Sequence, residues 1–230
     1  MSADNLTNQS TASAAEDATY LKVTWRLIPL LLICYIIAYL DRVNVGFAKL
    51  QMAGELGFSD AVYGLGAGMF FIGYFFFEVP SNIILHRVGA RAWIARIMVT
   101  WGVISGGMMF IQTETQFYVM RFLLGIAEAG FFPGIILYLT YWFPGSRRTK
   151  VIAMFMTAIA ISNVIGAPVS GAIMQYMQGM GGLRGWEWLF LLEGIPSVIV
   201  GLLVFVFLPD GPRHAEWLDE REKNFIVQQV

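Results

Sequence analysis

Two pairs of ionisable residues lie deep inside otherwise apolar stretches of the sequence: Asp41 and Arg42 in one stretch, and Arg121 and Glu128 in another. An ionised side chain within a membrane-spanning helix costs at least about 2.5–3.5 kcal/mol, so such residues usually serve a function. Arginine binds a carboxylate through two parallel hydrogen bonds and keeps its charge at physiological pH. Together with neighbouring carboxylates, these two arginines could line a polar cavity that binds an anion.

A carboxyl group in such a cavity is subject to two opposing effects. Burial favours its protonated form, whereas a neighbouring guanidinium favours its ionised form. An anion that binds the arginine removes the second effect, so protonation and anion binding become coupled. Two interpretations stay open on the residues alone: a proton–anion symport site, or two internal Arg–carboxylate pairs that only hold helices together.

Six apolar stretches are long enough to hold these residues within a membrane. A helix needs about 20 apolar residues to cross about 30 Å of hydrocarbon. The sequence contains such stretches at residues 25–47, 61–85, 93–112, 117–142, 151–176 and 187–208. Arg121 and Glu128 are seven residues apart, which is within about 20° of two full helical turns, so they share one face of the fourth span.

The overall composition excludes most other classes of protein. Of the 230 residues, 57% are hydrophobic and 13% are charged, whereas a soluble domain has about 25% charged residues. The net charge of -1 gives no indication of nucleic-acid binding. The histidines, His86 and His214, match no metal-ligand spacing, so no metal or cofactor is predicted. An intramembrane serine protease is also disfavoured, because no Gly-x-Ser-x-Gly motif is present and both histidines lie outside the spans.

The lysines and arginines predict the orientation and the division of the chain. Eleven of the 15 lie in loops on one side, two on the other side and two within spans. The positive-inside rule therefore places both termini in the cytoplasm, with the chain in the inner (plasma) membrane. We expect a disordered cytoplasmic tail at 1–24, a six-helix bundle at 25–209 and a cytoplasmic amphipathic segment at 210–230. In that last segment four residues would share a helical face, either on the membrane surface or on a solvated linker helix: Trp217, Leu218, Arg221 and Phe225.

A weak internal repeat predicts how the spans are arranged. The pattern Arg-x-x-x-Gly occurs in the first span at 42–46 and in the fourth at 121–125. Three helices per repeat give the second copy the opposite orientation, as in secondary transporters. The expected fold is therefore an all-α integral membrane protein with six transmembrane helices in two inverted three-helix repeats. Two rows of small residues in the fifth span predict close neighbours on two sides of that helix: Ala158, Ser162, Gly166 and Ser170, and Asn163, Ala167 and Gly171.

Several motifs resemble the amino-terminal half of a major facilitator superfamily transporter, in particular the anion:cation symporter family. The stretch YLDRVNVGFA at 39–48 resembles that family's first helix, and RFLLGIAEAGFFPG at 121–134 its fourth. HRVGAR at 86–91 stands where the loop between helices 2 and 3 belongs, and GWEWLFLLEGIP at 185–196 is similar to the sixth helix. The resemblance implies a symporter for small organic anions such as sugar acids, tartrate or phthalate, driven by protons.

The resemblance also implies roles for particular residues. Asp41 and Glu128 look like the proton-coupling carboxylates, and Arg42 and Arg121 like the substrate or switching arginines. The gating contacts of the loop between helices 2 and 3 would come from three residues: Arg87, Gly89 and Arg91. From the residues themselves, further hydrogen bonds to the cavity could come from Tyr39, Tyr74 and Asn44, whereas Glu78 and Glu193 are less informative.

The length of the chain matches one half of such a transporter. We therefore expect a second six-helix half, in the same gene or in a separate chain, along with a small organic anion, a proton and the lipid bilayer as partners. A non-transporting six-helix remnant or assembly partner is the alternative.

Overall fold

Helices make up nearly all of the chain in the computed structural model, which describes residues 3–230 and the side chains of residues 14–230. Eight α-helices follow one another: α1 Ala3–Leu56, α2 Asp60–Val88, α3 Ala90–Gly107, α4 Glu114–Glu128, α5 Phe131–Thr140, α6 Gly145–Tyr176, α7 Gly185–Phe207 and α8 Glu220–Gln229. Six helical segments are long and apolar enough to cross a membrane: Ala14–Leu56, Asp60–Val88, Ala90–Phe110, Glu114–Thr140, Gly145–Tyr176 and Gly185–Phe207. The predicted all-α membrane fold with six spans is confirmed.

The helix pairings repeat as an internal two-fold relation requires. α1 packs against α6 as α4 packs against α2, and α1 contacts α7 as α4 contacts α3. The most extensive contact joins α3 to α7. Exchanging the first three spans with the last three maps the first four of these contacts onto one another and the α3–α7 contact onto itself, in agreement with two inverted repeats.

Glycines let the helices approach closely at two interfaces. Between α3 and α7, a Cβ atom placed on Gly194 would lie 2.7 Å from the carbonyl oxygen of Gly102. Between α2 and α4, a Cβ atom on Gly125 would overlap the carbonyl oxygen of Phe70. Because lipid gives no hydrophobic drive for helices to associate, such backbone contacts supply much of the packing energy.

Only one of the two rows of small residues in the fifth span is packed. Ala158, Ser162, Gly166 and Ser170 of α6 are buried, and the Ser162 hydroxyl donates to the carbonyl of Ile36 on α1 at 3.2 Å. In the other row Asn163 and Ala167 are exposed. Within the described bundle, α6 therefore has close neighbours on one side, and its second row of small residues is open.

The fourth span is broken directly after Glu128. The sequence predicts one helix over 117–142, but α4 ends at Glu128 and α5 begins after Gly130, whose φ of 84° lies in the left-handed region that favours glycine. Ser81 lies where a Cβ atom on residue 130 would be. Pro133 is tolerated in the first turn of α5, because an amide there needs no helical partner. Glu128 therefore lies at a helix end inside the bundle.

The amino-terminal segment is helical, so the prediction of a disordered tail over 1–24 is wrong for its described residues. Asp17 forms an ion pair with Arg147 at the start of α6. Tyr20 stacks on Phe143 with ring centroids 6.0 Å apart. Tertiary packing of this kind supplies most of the stability of helices in proteins. The polar composition of this segment does not reveal these contacts, so the sequence alone suggested disorder.

The carboxy-terminal segment packs on the same end of the bundle. α8 starts after Trp217 and Leu218, so these residues do not share one helix with Phe225 as predicted. Trp217 stacks on Trp142 at 5.7 Å, and Phe225 contacts the ring of Tyr20 at 5.6 Å. The bundle itself covers these apolar side chains, in place of the membrane surface or the solvent that the sequence suggested.

Candidate anion-binding site

An ion pair between α1 and α4 forms the centre of the candidate site. The Nε and Nη2 atoms of Arg42 donate to Oε2 of Glu128 at 3.2 and 2.7 Å. The side chain of Arg42 is 30% exposed, whereas that of Glu128 is 1% exposed. Oε1 of Glu128 has no hydrogen-bond partner among the described residues. A buried ion pair offsets its desolvation only when its remaining polar atoms are also satisfied, so this pair is stabilised incompletely.

Arg121 lies beside this pair without a carboxylate of its own. It is 3% exposed, and within the described residues its Nε and Nη1 atoms have no hydrogen-bond partner. Its guanidinium carbon lies 4.7 Å from the centre of the Phe70 ring, which Arg42 also approaches at 5.6 Å. The cation–π contact offsets part of the desolvation, and the unpartnered N–H groups remain available to an incoming carboxylate.

Asp41 accepts hydrogen bonds from neutral side chains, and no arginine of the described residues donates to it. It is fully buried, and its Oδ1 atom accepts hydrogen bonds from Asn44 at 3.1 Å and from Ser105 of α3. Its Oδ2 atom has no hydrogen-bond partner in the part of the chain that the structure describes. Of the two Arg–carboxylate pairs considered from the sequence, only the one between Arg42 and Glu128 forms.

The three other predicted site residues are placed differently from one another. The ring of Tyr74 lies 5.4 Å from the Arg42 guanidinium, so Tyr74 belongs to the site. Tyr39 packs edge-on against Tyr35 with ring centroids 6.4 Å apart, and no described contact joins it to the arginines. Asn44 donates to Asp41, as described above, and no hydrogen bond among the described residues joins it to either guanidinium group.

The predicted gating loop connects α2 to α3 through Gly89, whose φ is 100°. An oxygen of Asp210, just beyond α7, accepts a hydrogen bond from the backbone N–H of Arg91 at 2.9 Å. A Cβ atom on Gly89 would lie 2.6 Å from the same carboxylate. Arg87 is exposed and makes no ion pair with the described side chains. The structure thus brings Gly89 and Arg91 together with Asp210, and leaves Arg87 apart.

Sequence reasoning missed three residues that contact the predicted ones: Phe70, Ser105 and Asp210. Phe70 and Ser105 belong to an aromatic and a small-residue stretch, in which nothing distinguishes them from packing residues. Asp210 could have been considered, because an acidic side chain stabilises a helix start that lies next to it, and Asp210 directly follows an apolar span.

The charge of the site depends on the protonation state of Asp41. The two guanidinium groups and Glu128 leave one net positive charge when Asp41 is protonated and none when Asp41 is ionised. Charges at short range in poorly solvated surroundings interact strongly. The arrangement can therefore attract a carboxylate in the protonated state and lose that attraction in the ionised state.

Comparisons with known proteins agree with this architecture. The chain is 58% identical over 207 residues to an Agrobacterium vitis protein named for tartrate transport, a match that covers 90% of the chain and 46% of that protein. It is 60% identical over 206 residues to a Pseudomonas putida protein named for metabolite transport, NicT, with 90% and 47% covered. The chain therefore spans about half the length of these curated relatives.

A solved structure has the same fold. The crystal structure of a bacterial homologue of the human lysosomal transporter Spinster, in an inward-facing and occupied conformation, matches with a TM-score of 0.71 at 18% identity. The match covers 81% of this chain and 44% of that one. Residues 31–228 match the Major Facilitator Superfamily. The chain belongs to this superfamily of multi-pass membrane transporters, and its relatives are transporters and not enzymes.

Proposed function

We propose that this chain supplies the anion-binding half of a proton-coupled symporter for a small organic anion. The observation that carries the proposal is Arg121, a buried guanidinium without a carboxylate partner beside the Arg42–Glu128 pair. A buried charge without a hydrogen-bonded counter-ion is costly, and a substrate carboxylate would supply one. The name of the Agrobacterium vitis relative points to a dicarboxylate such as tartrate as the first candidate.

Each site residue has a role in this proposal. Arg121 and Arg42 bind the substrate carboxylate, and Tyr74 lies beside Arg42 as a second hydrogen-bonding group. Asp41 and Glu128 carry the coupling proton. Because protonation of Asp41 gives the site its net positive charge, the proton and the anion bind together and cross together.

Tyr39 and Asn44 were also expected to bind substrate. We propose supporting roles for them instead, on the basis of the packing of Tyr39 against Tyr35 and the hydrogen bond from Asn44 to Asp41. In the proposal Tyr39 positions the substrate-facing part of α1, and Asn44 orients Asp41.

Alternating access requires a gate and a second bundle. Gly89, Arg91 and Asp210 would form a contact that opens and closes with the bundle, with Arg87 free to bind a second six-helix half. The exposed small residues Asn163 and Ala167 of α6 would let another helix approach closely. The excess of lysine and arginine in the loops on one side favours an inner-membrane location with both termini in the cytoplasm.

Uptake into proteoliposomes tests the proposal. The protein made from the complete coding sequence is reconstituted, and uptake of labelled tartrate is measured with and without an acidic outside pH. We expect saturable uptake that rises several-fold with the pH gradient and falls when a protonophore is added. Other small dicarboxylates should compete, whereas neutral sugars should not.

Arg121→Lys should abolish this uptake, and Arg213→Lys, an exposed arginine outside the bundle core, is the matched control. Uptake that ignores the pH gradient would contradict proton symport. If no organic anion is taken up or bound by the well-folded protein, the alternative of a non-transporting six-helix partner is favoured.

A further inference from the structure

An aromatic side chain of α2, Phe70, lies against the buried guanidinium of Arg121. The guanidinium carbon is 4.7 Å from the centre of the Phe70 ring. Both residues are almost completely buried, with 1% of Phe70 and 3% of Arg121 exposed. The face of an aromatic ring attracts a cation, and this attraction is stronger where water is excluded. Phe70 therefore stabilises the buried charge of Arg121.

A ring stabilises an arginine in a different way from a carboxylate. A carboxylate neutralises the charge and accepts hydrogen bonds from the N–H groups, whereas the phenylalanine ring carries neither a charge nor an oxygen. None of the ion pairs of the described residues includes Arg121. Its Nε and Nη1 atoms have no hydrogen-bond partner among the same residues. The contact with Phe70 thus leaves Arg121 charged and its N–H groups available.

Glu128 is the internal group that would compete for Arg121. Both residues belong to α4 and share one of its faces, about two helical turns apart. Oε1 of Glu128 has no hydrogen-bond partner within the described residues. If the arginine side chain were free to change its rotamer, it could turn toward this oxygen. That internal ion pair would occupy the N–H groups that a substrate carboxylate needs.

A backbone contact between α2 and α4 fixes the position of the Phe70 ring. Gly125 lies about one helical turn after Arg121. A Cβ atom on Gly125 would overlap the carbonyl oxygen of Phe70 and would lie 3.0 Å from the amide nitrogen of Tyr74. A glycine at this position is what lets the two backbones meet. The Arg-x-x-x-Gly pattern of the fourth span therefore has a physical basis: the arginine supplies the charge, and the glycine brings in the ring.

The copy of this pattern in the first span is built differently. A Cβ atom on Gly46 would meet nothing within 4 Å. Arg42 lies farther from the Phe70 ring, at 5.6 Å, and it pairs with Glu128 while 30% of its side chain is exposed. The two arginines therefore differ: Arg42 has a carboxylate that a substrate must replace, whereas Arg121 has only the ring.

We propose that Phe70 is a positioning residue for Arg121. It holds the guanidinium charged and open to an incoming carboxylate, and it prevents an internal ion pair with Glu128. Because Arg121 is already immobilised, it loses less conformational freedom when the anion binds. This inference rests on the proposed function, since the expected benefit is tighter binding of the substrate anion.

Fluorinated phenylalanines at residue 70 test this role. Nonsense suppression places mono-, di- and trifluorophenylalanine in the complete protein, which withdraws electrons from the ring and changes its size little. The Kd for labelled tartrate at acidic pH should rise with each fluorine, to about tenfold for the trifluorinated ring. The same series at Phe71, the exposed neighbour on α2, should leave the Kd unchanged.

Phe70→Leu removes the ring altogether and keeps an apolar side chain. Arg121 is then free to turn toward Glu128, so the Kd for tartrate should rise by about tenfold. The rise should be smaller when Phe70→Leu is combined with Glu128→Gln, because a neutral amide competes less for the arginine. A role of Phe70 in packing alone would give the same rise in both backgrounds.

A double-mutant cycle on stability tests the contact without any substrate. The free energy of unfolding in detergent is measured for the wild type, Phe70→Leu, Arg121→Met and the double variant. Phe70→Leu should destabilise the wild type more than it destabilises the Arg121→Met protein, because only the arginine gains from the face of the ring. This comparison does not depend on whether the protein transports tartrate.

The outcomes separate the inference from the proposed function. If the wild type binds tartrate and its Kd does not change along the fluorine series, the inference is overturned and the proposed function stands. A Kd that falls with fluorination would also overturn it, because the anion itself would then lie against the ring. If the wild type binds no organic anion, the proposed function fails and the double-mutant cycle decides: coupled losses support the contact, and additive losses overturn the inference.

Discussion

Two interfaces of this bundle are built on opposite principles. Where α3 meets α7, glycines bring the backbones into contact, and no side chain separates Gly102 from Gly194. Where α1, α2 and α4 meet, buried ionisable groups lie together, and polar atoms of Asp41, Arg121 and Glu128 lack partners within the described residues.

The difference indicates which interface is made for stability. The α3–α7 contact is closely packed at Gly102 and Gly194, because a Cβ atom on either residue would meet the backbone of the other. The polar interface could be more stable with apolar residues of similar volume. Because these buried charges lower the stability of the bundle, we expect them to serve a purpose other than packing. A bound anion would supply hydrogen-bond partners for the unpartnered atoms of Arg121.

The largest expected effect is on transport at the polar interface. Arg121→Lys should lower tartrate uptake by about 100-fold, because a single ammonium cannot reproduce a bidentate contact worth about 3 kcal/mol. The Arg121→Lys variant should unfold at the same temperature as the wild type, as measured by differential scanning fluorimetry. If Arg121→Lys lost folded protein to the same extent as it lost uptake, Arg121 would be a packing residue. The polar interface would then serve stability, as the glycine interface does.

The second effect is on stability at the glycine interface. In Gly102→Val, the new Cβ atom would lie 2.8 Å from the carbonyl oxygen of Gly194, so the free energy of unfolding should fall by about 3 kcal/mol. Gly106→Val lies on the same helix and its Cβ atom meets nothing within 4 Å, so it should be close to neutral. Chemical unfolding of both variants in detergent measures the difference, and transport per folded molecule should be normal in each.

The third effect separates binding from coupling. Glu128→Gln leaves the site positively charged whether or not Asp41 is protonated, so anion binding no longer depends on the proton. Accumulation of tartrate driven by a pH gradient should fall about tenfold, while tartrate counterflow without a gradient persists. Glu55→Gln, which removes a carboxylate that pairs with Arg184 outside the site, is the control and should keep full accumulation. Equal losses of counterflow and accumulation in Glu128→Gln would indicate a purely structural ion pair.

The smallest effect concerns the contact between Asp210 and the start of α3. Asp210→Ala removes the acceptor for the Arg91 N–H, which is worth about 1 kcal/mol as for other helix caps. The melting temperature should fall by a few degrees, and Asp210→Asn should restore most of it. A larger loss of uptake than of stability in Asp210→Ala would show that this contact also takes part in gating.

Much of the fold follows from the sequence because its determinants are local. The lengths of the apolar stretches define the spans, and helical periodicity places Arg121 and Glu128 on one face. The break after Glu128 depends on the left-handed Gly130, which the apolar pattern hides. The helix before residue 25 depends on contacts of Asp17 and Tyr20 with distant parts of the chain.

The pairing inside the site was harder to predict for a geometric reason. The position of a charged residue within its span predicts how deep in the membrane it lies. Which charged residues meet depends on how each helix is rotated about its axis relative to its neighbours. The contact of Gly125 with the backbone of Phe70 determines that rotation for α2 and α4. As a result Arg42 reaches Glu128, whereas Arg121 reaches only an aromatic ring.

The central claim is that Arg121 is an anion receptor retained at the expense of stability. Its most direct test is binding of labelled tartrate to the purified complete protein at acidic and alkaline pH, together with thermal unfolding, for the wild type and Arg121→Met. The wild type should bind at acidic pH and lose binding at alkaline pH. Arg121→Met should bind at neither pH and unfold at the same or a higher temperature. Wild-type binding by Arg121→Met, or its unfolding well below the wild-type temperature, would contradict the claim.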